Sequence, residues 1–512
     1  MTLEPQWTKK HSVACKDVEL FTRPLLGSEV LLDCSNRMLD GFAELNLGFT
    51  FRVSSMTPEN LIYRTKQSLR MARFHVPSIA CAIADDPSSP SRRSWEYRIL
   101  PKCAGERELN SWIEESLSIR RGTIDTDAFT AEMAGRRLPY VHADGHEQYV
   151  HFYLVIEDCP TKSTEGLRAA LMVHGSHILI EARSSIRLLD LLFEWIMSSP
   201  TEAFSLRWGT EWERLPAGPI TATGGPRSDW DTKGLELMQS VGGIFMDPTP
   251  PLRVKPTRAE IACSGKVSRY GLSFDEETSA AILQACRAAG CSITHLFDAS
   301  LALLTVEENE AGNFEDFGEK DLLKAHITLN PTFISQEHFL TPPHDSHSHF
   351  IAGLIMLPIR VPYSTIPPPS ASRRTRLLEI MRLIKHQYDN YLANKNSPHI
   401  LSEILTSAPE YPPTSTPFTD SRYVGIMSNI GNTNTFITSL RSNAADGTKL
   451  TIEDFALGMR LTHLHLTFHS WTLNGKLAMQ VQVSDAWDEE ASKEYLTKLR
   501  GIVLLVVTPY ER

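Results

Sequence analysis

Long apolar runs are missing from this 512-residue chain. None exceeds the length of residues 502–507, far short of the ~20 residues that span a bilayer, so no membrane association is expected. Paired cysteines are missing too. The eight cysteines are scattered singly and none forms a C-x-x-C pair, which argues against a zinc cluster and for reduced thiols. Excess positive charge is also lacking: 51 Lys and Arg stand against 61 Asp and Glu, a net charge of −10. Such a chain repels a phosphate backbone, so no nucleic-acid partner is expected. The first residues, Met1 to Trp7, show neither the basic stretch nor the apolar core of a secretory signal. The expectation is therefore a cytoplasmic protein. No fixed-period repeat recurs, which removes solenoids and propellers. What is present is a globular balance, 42% hydrophobic and 22% charged.

Length alone implies two to four domains at roughly 150 residues each. In the first half, Thr57-Pro58-Glu59 opens a helix, with Thr57 as N-cap and Pro58 at the first helical position. Residues 150–156 and 167–173 are short apolar runs expected as buried strands, joined by a polar connection at 161–166. Residues 184–197 repeat apolar side chains at helical spacing. From 213 to 251 proline and glycine crowd the chain, which predicts an irregular crossover. The second half is expected to open with a strand over 261–270. A helix over 273–287 follows, with Ser273 and Glu276 in a capping-box pattern, and then one over 293–306. A strand over 351–359 and a basic helix over 373–391 come next. Two strands, 461–472 and 475–483, meet at Leu473-Asn474, and a helix over 489–505 ends the pattern. Strands alternating with helices in two similar halves predict an α/β fold. The expected division is 1–212, a crossover at 213–258, and 259–512.

The segment that carries chemistry runs from Val173 to Ser184. A buried strand leads into His177, an acid follows at Glu181, and a helix begins. A histidine held at a strand end is placed to act in a cleft, and neutral imidazole can take a hydroxyl proton near neutral pH. Glu181 can hold the loop by pairing with Arg183 or a distant arginine. His174, inside the strand, reads as structural. His344, His347 and His349 sit in a Pro/Ser loop without the scaffold of a metal site, so no metal is expected. His463 and His465 share one face of a strand, with His469 beyond; they read as ordinary strand histidines, with lining a cleft or binding a metal as the alternatives. Ser184 lies in no G-x-S-x-G elbow, which leaves a serine hydrolase without support.

The His177-to-Glu181 spacing resembles the HxxxD motif of the CoA-dependent acyltransferase superfamily. That superfamily includes chloramphenicol acetyltransferase, carnitine and plant BAHD acyltransferases, and the condensation domains of peptide synthetases. Arg23-Pro24-Leu25, with Glu29 four residues on, resembles the R-P-L-x-x-x-E opening of fungal members. Residues 282–303 resemble the helix pair that opens the family's second domain. Ser428-Asn429-Ile430-Gly431 resembles its S-N-x-G strand end, and residues 468–483 its last hairpin. These marks run in the family's order over most of the chain, and are nearest in character to fungal trichothecene O-acetyltransferase-like enzymes. Three positions depart from the pattern. Glu181 stands in place of Asp, and Ser176 stands where condensation domains carry a second histidine. Asp316-Phe317-Gly318 is followed by Glu319, unlike the D-F-G-W-G of the plant branch.

The resemblance implies an α/β fold of two chloramphenicol-acetyltransferase-like subdomains, each a mixed sheet with flanking helices, with the active site at their interface. It implies an acyl-CoA-dependent O-acyltransferase of secondary-metabolite biosynthesis. In that reading His177 is the general base and Glu181 the structural acid, turned away from the chemistry. Ser428, Asn429 or Ser470 would supply the hydrogen bond to the oxyanion. Acyl-CoA is the expected co-substrate, with an acyl group on a polyketide-synthase carrier protein as the other donor and a small-molecule alcohol as acceptor. No bound cofactor is expected, and the chain is expected to act as a monomer. Arg373, Arg374 and Arg376 are candidates for a basic patch at a channel mouth, weighed against a solvated helix face. Two other uses of the scaffold stand beside this one. A cyclase or isomerase folding a reactive polyene is kept open by Glu181 and Ser176. A non-catalytic binding protein is opposed by the intact His177.

Overall fold

The computed structural model describes residues 3–11, 19–86, 89–99, 105–143, 145–158, 166–198, 206–249, 251–314, 317–344, 353–407 and 424–508. The first sheet grows around Leu45–Val53, whose Leu47, Phe49, Phe51 and Val53 alternate as a strand requires and are wholly buried. Leu167–Gly175 pairs with it antiparallel on one side and Lys449–Met459 on the other. Val150–Ile156 and Leu117–Arg121 extend one edge, and Leu440–Ser442 the other, to six strands. Helices Pro58–His75 and Ala182–Met197 cover it, and Phe193 packs between Phe49 and Phe51. Each such fully buried side chain contributes about 1.5–3 kcal/mol.

The second sheet runs Val267–Ser273, Lys476–Ser484, Thr467–Leu473, Ile426–Asn432, with only the last pair parallel. His326–Ser335 and Leu354–Pro362 form a two-stranded sheet beside it. Helix Ile293–Ala311 is buried without interruption from Leu296 to Val306, between Arg373–Ala393 and Glu489–Leu504. Among the described residues no single helix is long and apolar enough to cross a bilayer. The apolar pair Glu276–Ala288 and Ile293–Ala311 is bent by 92°. The architecture is mixed α/β in two lobes.

The lobes are stitched together rather than strung in series. Lys449–Met459 follows most of the second lobe in the chain yet completes the first lobe's sheet. Two amides of the second sheet grip it. Gln482 accepts from Met459 N at 3.1 Å and donates to Met459 O at 2.9 Å, and Gln480 donates to Leu457 O at 3.0 Å. Sheet membership therefore crosses the chain division expected near residue 259.

A smaller four-stranded sheet near the N-terminus explains the R-P-L-x-x-x-E segment. Arg23 is fully buried and donates from Nη2 to Glu29 Oε1 at 2.7 Å. The other carboxylate oxygen accepts from Leu26 N at 2.9 Å and Trp95 Nε1 at 3.1 Å. The guanidinium lies 5.4 Å from the Trp7 ring centre and 5.7 Å from that of Trp95.

Several elements differ from the pattern read in the sequence. The expected strand over 261–270 begins only at Val267, because Ala262 N and Cys263 N donate to the Asp485 carboxylate instead of a neighbouring strand. Asp275, not Ser273, caps helix Glu276–Ala288, accepting from Thr278 N at 2.7 Å. The hairpin turns at Asn474-Gly475, both with positive φ, as a tight two-residue turn favours. Within the irregular crossover stands a full helix, Leu235–Met246. Its prolines lie outside it, at 226 and 248, so nothing removes a donor from its interior.

Candidate active site between the lobes

Strand Leu167–Gly175 delivers the chain into a tight turn. Leu179 N and Ile180 N both donate to the carbonyl of Ser176, at 2.9 and 3.1 Å. Gly175 has no room for a side chain: a Cβ there would lie 2.7 Å from Ile180 Cδ1. Ile178, Leu179 and Ile180 are buried in the first lobe's core and anchor the turn. His177 alone is left half-buried, on the wall of a cavity between the lobes. Its Nδ1 is the buried ring nitrogen, which leaves Nε2 to the cavity. Burial holds the imidazole below its usual basicity, only partly opposed by the backbone at residues 177 and 180. The ring is neutral at pH 7, as a proton acceptor must be.

Glu181 is the N-cap of helix Ala182–Met197, accepting from Ser184 N at 3.4 Å. Burial lifts its carboxyl to about 7, against the attraction of Arg183. Among the described residues it makes no ion pair, so the expected arginine clamp is replaced by a helix cap. Arg183 instead donates from Nε to Ile430 O at 3.0 Å, on the end of the second lobe's parallel strand. Arg187 pairs with Glu337 of that lobe as well. The motif's arginines thus dock the His177 loop onto the opposite lobe.

The cavity encloses about 440 Å³. Its walls are mostly apolar: Leu32, Met38 and Phe42 from one lobe, Phe333, Met356 and Ile404 from the other. Val241 and Phe245 close it from the crossover helix, and Leu457 and Met459 from the exchanged strand. Neither contribution was legible beforehand, because both elements reach the site only through tertiary contacts.

The three expected oxyanion donors separate clearly. Asn429 reaches the cavity, but its Nδ2 donates to Thr294 Oγ1 at 2.8 Å and its Oδ1 accepts from Gly431 N and Ser470 Oγ. Ser470 is fully buried, off the cavity, and spent on Asn429. Ser428 lines the cavity with its hydroxyl unbonded among the described residues. Thr467, which the sequence did not single out, and His469, weighed there only as a strand histidine that could line a cleft, stand beside it. Ser428 is the register partner of His469, and Ile426 of Thr467, on the parallel strand pair. Period-two alternation puts all four on one face, a signal present in the sequence once the pairing is known.

The remaining candidates lie apart. His174 is buried in its strand with Nδ1 2.8 Å from Tyr140 Oη. His463 and His465 precede the strand that begins at Thr467, and His463 Nδ1 accepts from His465 N at 3.1 Å. Arg373 and Arg376 are each held bidentately, by Glu307 and Glu310. Their charge is neutralised within the lobe. His347 and His349, and Asp316 of the D-F-G triplet, lie outside the described residues. On the first lobe, ligand atoms of Glu115, His142 and His146 lie within 4.8 Å of one another. There His142 is bonded to Gln148 and stacked on His146 at 4.2 Å, contacts that a shared ion would have to break.

No protein-family model matches the sequence, and no curated protein matches it. Solved structures do match the fold. The TRI3 trichothecene 15-O-acetyltransferase of Fusarium sporotrichioides superposes with a TM-score of 0.79 at 15% identity, covering 98% of each chain. The condensation domain of the monacolin K polyketide synthase MokA gives 0.60 at 9% identity, covering 95% of this chain and 98% of its own. The epimerization domain from the third module of tyrocidine synthetase B gives 0.54 at 12%, covering 99% and 97%. The chain has the two-lobed fold of the CoA-dependent acyltransferases and condensation domains.

Proposed function

We propose that this protein is an acyltransferase that moves an acyl group from a thioester donor to a hydroxyl of an apolar small molecule, with His177 as general base. One observation carries the reading: a neutral imidazole, fixed on a strand end, faces an inter-lobe cavity whose walls are mostly apolar. In the implied reaction the acceptor hydroxyl gives its proton to His177 Nε2 as its oxygen bonds to the thioester carbon. The carbonyl becomes a tetrahedral oxyanion, which collapses by breaking the carbon–sulfur bond. The departing thiolate recovers the proton from His177. No covalent enzyme intermediate and no metal is required by this sequence of steps. Glu181 serves it by capping the helix behind the base, in keeping with a structural acid. A cavity of about 440 Å³ falls within the range of sites for compact, drug-sized ligands. Its lining favours a terpenoid- or polyketide-like alcohol over a sugar.

Acyl-CoA is the proposed donor, used as a co-substrate. The test is thiol release from a panel of acyl-CoAs in the presence of mixed apolar alcohols, run beside His177→Ala. Acceptor-dependent release that falls by about 10³-fold in the variant supports the reading. Release only from acyl groups on a carrier protein would move the donor to a synthase partner. Turnover that survives His177→Ala would favour a shape-driven cyclase or isomerase, a use kept in view by a condensation and an epimerization domain sharing this fold.

A further inference from the structure

Resting on the acyl-transfer reading, we infer that His469, in its Nε2–H tautomer, is the principal hydrogen-bond donor to the oxyanion. The second lobe presents it there on strand Thr467–Leu473, beside Ser428 on the neighbouring strand.

The tautomer follows from the network behind the ring. Gln480, the register partner of His469, has its amide oriented by two groups of fixed polarity. Arg269 Nη1, a donor only, lies 3.3 Å from Gln480 Oε1. The Leu457 carbonyl, an acceptor only, lies 3.0 Å from Gln480 Nε2. The amide nitrogen is therefore the atom facing His469 Nδ1, at 3.2 Å, and it must donate. A ring nitrogen that accepts carries no proton in the neutral ring, so the proton sits on Nε2. That atom makes no hydrogen bond among the described residues, while the ring borders the cavity that His177 also lines.

Burial keeps the ring a neutral donor. Helped by the charge of Arg269 and by His177 once it has taken a proton, burial holds His469 down to about 3. It does not compete with His177 for the acceptor proton at neutral pH. A neutral imidazole pre-aimed at a developing oxyanion costs no reorganisation during the reaction. The other candidates are committed elsewhere: Asn429 and Ser470 bond one another. Ser428 supplies a second, rotatable hydroxyl at the same level of the sheet.

The test compares His177→Ala, His469→Leu and His469→Gln in the thiol-release assay, with thermal melting as a folding control. Glutamine places an amide N–H near the position of Nε2. His469→Leu should lose about 10²–10³-fold in kcat with acceptor KM nearly unchanged, and His469→Gln should recover at least tenfold of it. In parallel, nitrogen NMR of histidine-labelled protein should show His469 protonated at Nε2 alone. Transfer by His469→Leu within threefold of the unmodified protein, while His177→Ala is inactive, overturns the assignment and leaves the acyl-transfer reading standing. A proton on Nδ1 overturns it whatever the activity. Transfer that survives His177→Ala, or no transfer by the unmodified protein with any donor, overturns the reading and the assignment with it.

Discussion

Two buried polar clusters, one in each lobe, meet opposite fates. In the first, around Arg23 and Glu29, both carboxylate oxygens are engaged and two indoles flank the guanidinium. In the second, on the wall that carries Ser428, Thr467 and His469, polar atoms open onto a cavity with capacity to spare. Thr467 Oγ1 is buried with no partner, and His469 Nε2 has none among the described residues. Buried polar groups are expensive unless paired, so a cluster whose two charges meet each other and whose carboxylate is fully engaged, with only Arg23 Nε left over, reads as architecture. An unpaired one beside a neutral histidine reads as a place prepared for a ligand. The R-P-L-x-x-x-E segment, which the resemblance set beside the catalytic motif, thereby becomes a structural signature.

Substitutions should pull the two clusters apart. The largest effect is expected at Glu29→Leu, which strands a buried guanidinium and should cost about 3–5 kcal/mol in denaturant unfolding. The double variant Arg23→Met with Glu29→Leu should regain most of that loss. Additive losses would place the pair's value in its charges rather than its geometry. Glu181 comes next, because its carboxyl rises from about 4.5 in the unfolded chain to about 7 in the fold. Its folded form binds a proton more tightly, so the stability it contributes is present below about pH 4.5 and lost as pH rises through 7. Relative to Glu181→Gln, the unmodified protein should therefore weaken across that window, by up to about 3 kcal/mol. Equal pH slopes in the two proteins would place Glu181 in a wetter setting. Thr467→Val should have the opposite sign to Glu29→Leu. It removes an unsatisfied hydroxyl and should leave stability unchanged or raised by about 1 kcal/mol. A loss would reveal a partner for that hydroxyl in the free protein. The smallest effect concerns pH: because His177 is held below the usual 6.5, the acid limb of the transfer rate should fall below that value. A limb above 6.5 would require a different base.

Legibility in the sequence followed the range of the forces involved. Thr57, whose side chain accepts from Asn60 N as the N-cap of Pro58–His75, could be assigned from local chemistry alone. So could the buried strands Val150–Ile156 and Leu167–Gly175, whose runs of apolar residues need no knowledge of their neighbours. The position of His177 at a strand end was equally local. Strand Lys449–Met459 was not, since its place in the first sheet depends on pairing with a segment some four hundred residues away. The crossover helix was hidden because proline density was averaged over its flanks.

By itself, then, the sequence determined the α/β class, the place of His177 at a strand end, and the helix that follows it. All of these depend on side chains within about one helical turn or one strand of each other. Only the tertiary structure decided that Glu181 caps a helix instead of meeting an arginine, and that Asn429 is consumed by Thr294 and Ser470. It also decided that His469 faces the same cavity as His177. Those outcomes turn on which polar groups from distant segments are brought within hydrogen-bond reach, and spacing along the chain does not encode that.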